Sequence, residues 1–361
     1  MDKVIPMRMY PVWSAVVIVI AMTVLVCTAE SQEIIDLYSS LESCDVTIAG
    51  PADGSILRLE LLSDGRVLQT RELNLDGPGT WIATWSSFSA EKGDYDLCAS
   101  IVKNGKSTSQ RCYEFYYGGI TPIRFDVRDF IADSKGIQLS LASDDPTIVD
   151  IYYMLISGNK AIFINKDLAV PISGGMGAPM QLTRPWKQVL EDGRQYAGRV
   201  KIVEPSHNQT RAFMGTFIAR DDATITETYE DETGASATVV GNSRVPFQGM
   251  LRFALSQNGT VLTTIEKKTP VLLTGDDETV EVSWNNTLSP GLYQLQVALL
   301  GNDGDVLDIE ETIVEAKPII NTTRVDAPEE SSTNPVMIGA LLLVVALIGA
   351  GLWWRRRKGK S

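Results

Sequence analysis

Three stretches of this 361-residue chain repeat one arrangement, and it restricts the fold more than any other feature. A Trp is followed seven or eight residues later by a Gly, and within three more residues by a Tyr that leads into an alternating apolar run. The first is Trp85, Gly93 and Tyr95, then Leu97, Ala99 and Ile101. The second is Trp186, Gly193 and Tyr196, then Val200 and Ile202; the third is Trp284, Gly291 and Tyr293, then Leu295, Val297 and Leu299. The Trp residues lie about 100 residues apart, too long for a solenoid repeat and the length of one small β-sandwich. The expected fold is all-β: three tandem sandwich domains, preceded by a signal segment and followed by one transmembrane helix.

The ends read differently from the middle. Residues 1–29 have the layout of a signal peptide: Lys3 and Arg8, an apolar run from Ala15 to Val26, then small residues at Cys27-Thr28-Ala29. An uncleaved anchor and a lipid-attached Cys27 are the alternatives. Domain 1 is placed at 43–118. Within it Leu57, Leu59 and Leu61 alternate with Arg58 and Glu60, and Asp64-Gly65 turns the chain into Val67-Leu68. Domain 3, placed at 223–316, repeats this order with Leu251, Phe253 and Leu255 before Asn258-Gly259 and Val261-Leu262. Domain 2, placed at 119–222, follows the pattern more loosely. Its strands are expected around Ile137–Leu141 and Asp150–Ile156, and its Gly174-Gly175-Met176-Gly177 segment reads as a loop. Residues 317–334, with Pro318, Pro328 and a Glu/Ser/Thr run, cannot bury a core and read as a stalk. The uncharged run within 335–354 is long enough to cross a bilayer, and Arg355–Lys358 at the head of the 355–361 tail place that end in the cytoplasm.

The segments leading into Tyr196 and Tyr293 resemble the tyrosine corner of immunoglobulin-like and fibronectin type III-like domains. There a Tyr buries its ring while its hydroxyl bonds back to the loop, and a preceding Gly permits a tight backbone path. The resemblance implies the superfold. It departs from immunoglobulin domains in placing each Trp just before the corner and in lacking the inter-sheet disulfide. The acidic modules, the stalk and the short basic tail resemble prokaryotic, especially archaeal, surface proteins.

After signal removal three cysteines remain, Cys44, Cys98 and Cys112. If Tyr95, Leu97 and Ala99 face inward, Cys98 faces outward, and Tyr113 and Phe115 turn Cys112 the same way on the next strand. A Cys98–Cys112 cross-strand disulfide is therefore expected. Cys44 pairing with either partner, or linking two chains, is the alternative.

Catalytic candidates are sparse. His207 is the single histidine and lies in a polar turn, so Ser–His or Cys–His chemistry has one base and no apolar pocket around it. No catalytic residue and no cofactor is expected; calcium at Asp221, Asp222, Asp231 and Glu232, near a domain boundary, is the one metal weighed. Sequons at Asn208, Asn258, Asn285 and Asn321 fall in expected turns or the stalk. A net charge of −13 disfavours nucleic acid as a partner.

These features describe a non-catalytic, single-pass type I membrane protein with an extracytoplasmic ectodomain. Such an ectodomain is expected to bind an envelope protein, a surface-layer component or a polysaccharide, and to self-associate in some settings. A structural spacer or scaffold in a membrane complex is the first alternative. An extracytoplasmic enzyme using loop carboxylates such as Asp144 and Asp145 is the second.

Overall fold

The computed structural model describes residues 32–118, 125–175 and 178–317, and all of its regular structure is strand. The signal segment, most of the stalk, the apolar C-terminal run, the basic tail and Asn321 lie outside the described residues. Among the described residues no helix is long and apolar enough to cross a membrane.

The described residues form three modules of seven strands. In module 1, β1 (Glu33–Ser39), β2 (Ser43–Ala49) and β5 (Gly79–Thr84) pair in that order. Opposite them lie β4 (Arg66–Asn74), β3 (Ile56–Ser63), β6 (Gly93–Lys103) and β7 (Lys106–Tyr117). Module 2 repeats the plan with β8 (Asp126–Ala132), β9 (Gly136–Ala142) and β12 (Met180–Pro185) in the smaller sheet. Its larger half-sandwich holds β11 (Lys160–Ile172), β10 (Thr147–Ser157), β13 (Gln195–Glu204) and β14 (Gln209–Ile218). A bridge between Lys160 of β11 and Trp81 of β5 joins these four to β1, β2 and β5 as one seven-stranded sheet. Module 3 has β15 (Ala223–Glu230), β16 (Gly234–Gly241) and β19 (Asp277–Ser283) in the small sheet. It has β18 (Thr260–Lys268), β17 (Met250–Gln257), β20 (Gly291–Leu300) and β21 (Val306–Ala316) in the large one. In each module the fourth strand pairs with the third, beside the sixth and seventh, which gives a β-sandwich of three strands on four.

Alternation explains the cores. Leu57, Leu59 and Leu61 of β3 and Leu97, Ala99 and Ile101 of β6 are fully buried, meeting Cys44, Val46 and Ile48 of β2 across the sandwich. Leu251, Phe253, Leu255, Leu295, Val297 and Leu299 do the same in module 3. Module 2, the loosest in sequence, has an equally closed core around Ile137, Leu139, Ile151, Tyr153 and Val200. Hairpins turn on Asp64-Gly65, Asn104-Gly105 and Asn258-Gly259, with both residues of each pair at positive φ.

The fold corrects the expected start of the first domain. β1 begins at Glu33 rather than Ser43, and Ile34 and Leu37 belong to the module 1 core. A β-bulge between Ile34 and Asp36 interrupts the alternation of this strand, and Glu33, Asp36 and Ser39 leave it without a clear apolar period in the sequence.

Candidate functional site

In each of the three stretches the Tyr hydroxyl bonds back to the backbone of the preceding loop. Tyr95 Oη donates to the Glu91 carbonyl at 2.7 Å and accepts from the Glu91 N–H at 3.1 Å. Tyr293 Oη donates to the Ser289 carbonyl at 2.8 Å, and Tyr196 Oη accepts from the Glu191 N–H at 3.2 Å. The glycines act less uniformly than expected. Gly193 has a φ of +72°, while Gly93 stays outside the positive region and its Cβ position meets open space.

Each Trp closes its small sheet. The backbone N–H of Trp85, Trp186 and Trp284 donates to the carbonyl of Glu42, Lys135 and Thr233 respectively, all in the turn between the first two strands of a module. The indole N–H of Trp186 also donates to the Asp133 carbonyl (2.7 Å), and that of Trp284 to the Asp231 carbonyl (3.1 Å). The indole nitrogen of Trp85 is buried without a partner. Asp133 and Asp231 organise those turns by accepting two backbone N–H bonds each on Oδ1, a role played by Ser40 in module 1.

Cys98 and Cys112 are directly paired on β6 and β7 and form the expected disulfide, leaving Cys44 free and buried. Burial, with Asp45 adding to it, pushes the Cys44 thiol up to about 12.

The other residues singled out from sequence are dispersed. Asp221 is buried; desolvation, with the charges of Asp192 and Asp303, raises its pKa, while the Asn302 N–H at 2.8 Å opposes the rise. Asp222 pairs with Lys135 at 2.6 Å, and Asp231 Oδ1 is occupied within its own turn. Glu232 accepts the Leu288 N–H through its backbone carbonyl. Among the described residues no three His, Cys, Asp or Glu side chains come together as a metal site would need. Asp144 and Asp145 are exposed on the loop between β9 and β10. His207 Nδ1 lies 2.8 Å from Glu204 Oε2. Burial works to raise the Glu204 pKa, but bonds from the His207 ring and from the His207 and Ser206 N–H groups outweigh it and hold the pKa low. Asn208, Asn258 and Asn285 are exposed, the first two at positive φ in hairpin turns.

The most developed polar site lies where modules 1 and 2 meet, and it was not expected. The outer face of the β2–β5 pair packs on the outer face of β10 and β13. Ile82 of module 1 contacts Met154 and Ile156 of module 2 in a small core of its own. Beside it Arg199 and Asp45, both fully buried, pair at 2.8 Å, and the Arg199 guanidinium also bonds the Ser43 hydroxyl. Lys201 Nζ reaches Asp45 at 2.6 Å and Asp36 at 3.1 Å. The edges touch as well: Ile82 N–H donates to the Asn159 carbonyl at 2.7 Å, and Asn159 Nδ2 donates to the Ile82 carbonyl at 3.0 Å.

Above this buried pair opens a groove of about 880 Å³. Lys201 is part of its lining, with its ammonium 5.7 Å from the Tyr38 ring and 5.6 Å from the Tyr152 ring. Tyr113 packs edge-on against Tyr38 at 5.7 Å, and Asn165 lines the module 2 wall. Burial pulls the Lys201 pKa down, but the charges of and bonds to Asp45 and Asp36 more than reverse this. Burial raises the Tyr38 phenol, partly offset by Arg199.

A sequence signal for this junction exists. Ile151 to Ile156 is apolar on both faces, the mark of a strand covered on both sides, whereas Arg199 and Lys201 alternate outward like ordinary solvent-facing residues. Only the partner module makes them interior.

Module 3 joins module 2 as closely. Ala219 and Ala223 flank the crossing and are fully buried, Val245 of module 3 enters the module 2 core, and the Arg244 N–H donates to the Ser134 carbonyl.

No protein-family model and no curated protein matches this chain. Among solved structures it is similar to a tetra-tandem repeat in the extending region of a large adhesion protein, at 11% identity and a TM-score of 0.24. That alignment covers 79% of this chain and 74% of the other. It is also similar to trypsin-activated alpha-2-macroglobulin from Escherichia coli, at 13% identity and a TM-score of 0.20, over 81% of this chain and 24% of that one. The fold assignment rests on strand order and core composition instead.

Proposed function

We propose that this is a non-catalytic surface protein whose three-module ectodomain binds a component of the cell envelope, anchored by the apolar run within 335–354. The observation that carries this reading is the fused body of modules 1 and 2, with its tyrosine-lined groove at their junction. Ligand sites favour such domain interfaces, where a concave surface can combine apolar walls with a few polar groups. The Cys98–Cys112 disulfide fits an oxidising compartment, and the signal-like 1–29 segment fits export. Chemical crosslinking on intact cells, with the crosslinked positions mapped, tests it. Crosslinks from the groove walls to an envelope component are expected; a protein captured only by cytosolic partners would overturn the reading.

A second reading, a rigid spacer holding a membrane complex, is favoured by the buried joints at both module boundaries. It predicts crosslinks concentrated on module 3 and the stalk, with none at the groove.

A further inference from the structure

We infer that the groove between modules 1 and 2 is a binding site for an uncharged oligosaccharide, an assignment that rests on the surface-binding reading above. Charge is the first constraint on the ligand. Beneath the groove Arg199 and Lys201 face Asp45 and Asp36, so two cations and two carboxylates cancel; the remaining charged residue of the lining, Lys166, is exposed on the β11 wall. Lys201 already holds both carboxylates, and an incoming anion would have to displace one of them. The net charge of −13 adds repulsion against polyanions. An uncharged ligand meets neither cost.

The walls narrow the class further. Tyr38, Tyr113 and Tyr152 come from three different strands and line one cavity. Tyrosine offers an apolar ring face joined to a hydroxyl, and the C–H faces and hydroxyl rims of a pyranose complement that combination. Asp36 keeps its side chain 57% exposed although one oxygen binds Lys201. Its carboxylate can therefore accept from sugar hydroxyls, and the Asn165 amide can both donate and accept. Lys201 lies against both the Tyr38 and Tyr152 rings, and the buried Tyr38 donates its hydroxyl to the Thr210 carbonyl at 3.3 Å, so the walls are set before a ligand arrives, which lowers the ordering cost of binding. A cavity of about 880 Å³ accommodates a short saccharide rather than one ring.

The test uses the full chain purified in a detergent without sugar headgroups. Cellotetraose, maltotetraose, mannotetraose and chitotetraose are titrated by calorimetry, with uncharged hexapeptides alongside. At least one tetrasaccharide is expected to bind, and Tyr152→Ala should weaken it by about tenfold or more, as loss of an aromatic contact at the centre of a site does. Tyr152 also supports the module junction, so Asn165→Trp provides a second variant: it fills the groove from a half-buried wall position and should abolish binding while the thermal midpoint holds. Leu292→Ala on module 3 should leave binding unchanged. Binding of no tetrasaccharide, binding indifferent to both groove variants, or retention of the hexapeptides alone would each overturn the assignment. If crosslinking on cells still finds an envelope protein at the groove, the general reading stands and the saccharide assignment falls.

Discussion

Asp45 is the residue on which the junction of modules 1 and 2 depends. It is fully buried and receives both Arg199 and Lys201, so removing it strands two cations in a low-dielectric setting. Asp45→Ala should cost about 3–5 kcal/mol in urea unfolding, the usual price of breaking a buried pair. Replacing Asp45 and Arg199 together with Leu and Met should recover most of that loss, because no charge is then left unpaired. Two groups of the groove lining set a pH dependence. Lys201 and Tyr38 both titrate above their ordinary values when folded. Each therefore stabilises the fold fully below its unfolded pKa of roughly 10, and that contribution is lost as pH rises through the folded value. Glu204 has the opposite sign: its folded pKa is lowered, so its contribution is present at neutral pH and fades as pH falls below the unfolded value of about 4.3. Unfolding midpoints measured from pH 3 to pH 11 should fall at both ends, and Glu204→Gln should flatten the acid limb alone.

Among the elements, the tyrosine corner and the Trp-to-turn tie recur with different hydrogen-bond content, which gives graded expectations. Tyr293→Phe removes one neutral hydrogen bond and should cost about 1 kcal/mol by denaturant unfolding. Trp186→Phe gives up the indole bond to Asp133, whereas the Trp85 indole has no partner to lose, so the first change should cost about 1 kcal/mol more than Trp85→Phe. The Cys98–Cys112 bridge spans 14 residues, so the double Ser variant should lose about 3 kcal/mol on the loop-entropy account. These elements were legible in the sequence because each is local: alternation fixes a strand's inner face, Asp-Gly and Asn-Gly fix hairpins, and the two together turned Cys98 and Cys112 onto one face. The turn between the first two strands was not legible, since Ser40, Asp133 and Asp231 do one job with different residue types. Nor was β1, whose polar residues conceal the inward Ile34 and Leu37.

At the scale of the whole molecule, modules 1 and 2 behave as one body. Their shared surface combines the Ile82–Met154–Ile156 core with buried ion pairs and backbone bonds between edges, so calorimetry should show them unfolding in one transition. The sequence hid this because contacts such as Asp45 to Arg199 span 154 positions. No local pattern distinguishes an outward Arg that meets water from one that meets another module. The same holds for the groove, whose tyrosines come from separate modules and read singly as surface aromatics.

The proposed function requires these modules to stand outside the cell. Lys103 and Lys106, exposed in the turn between β6 and β7, offer a direct readout. Intact cells are treated with a membrane-impermeant amine-reactive biotin, and the labelled lysines are mapped by mass spectrometry. Label on Lys103 and Lys106 without lysis is the predicted result. Label that appears only after the membrane is broken would contradict the account.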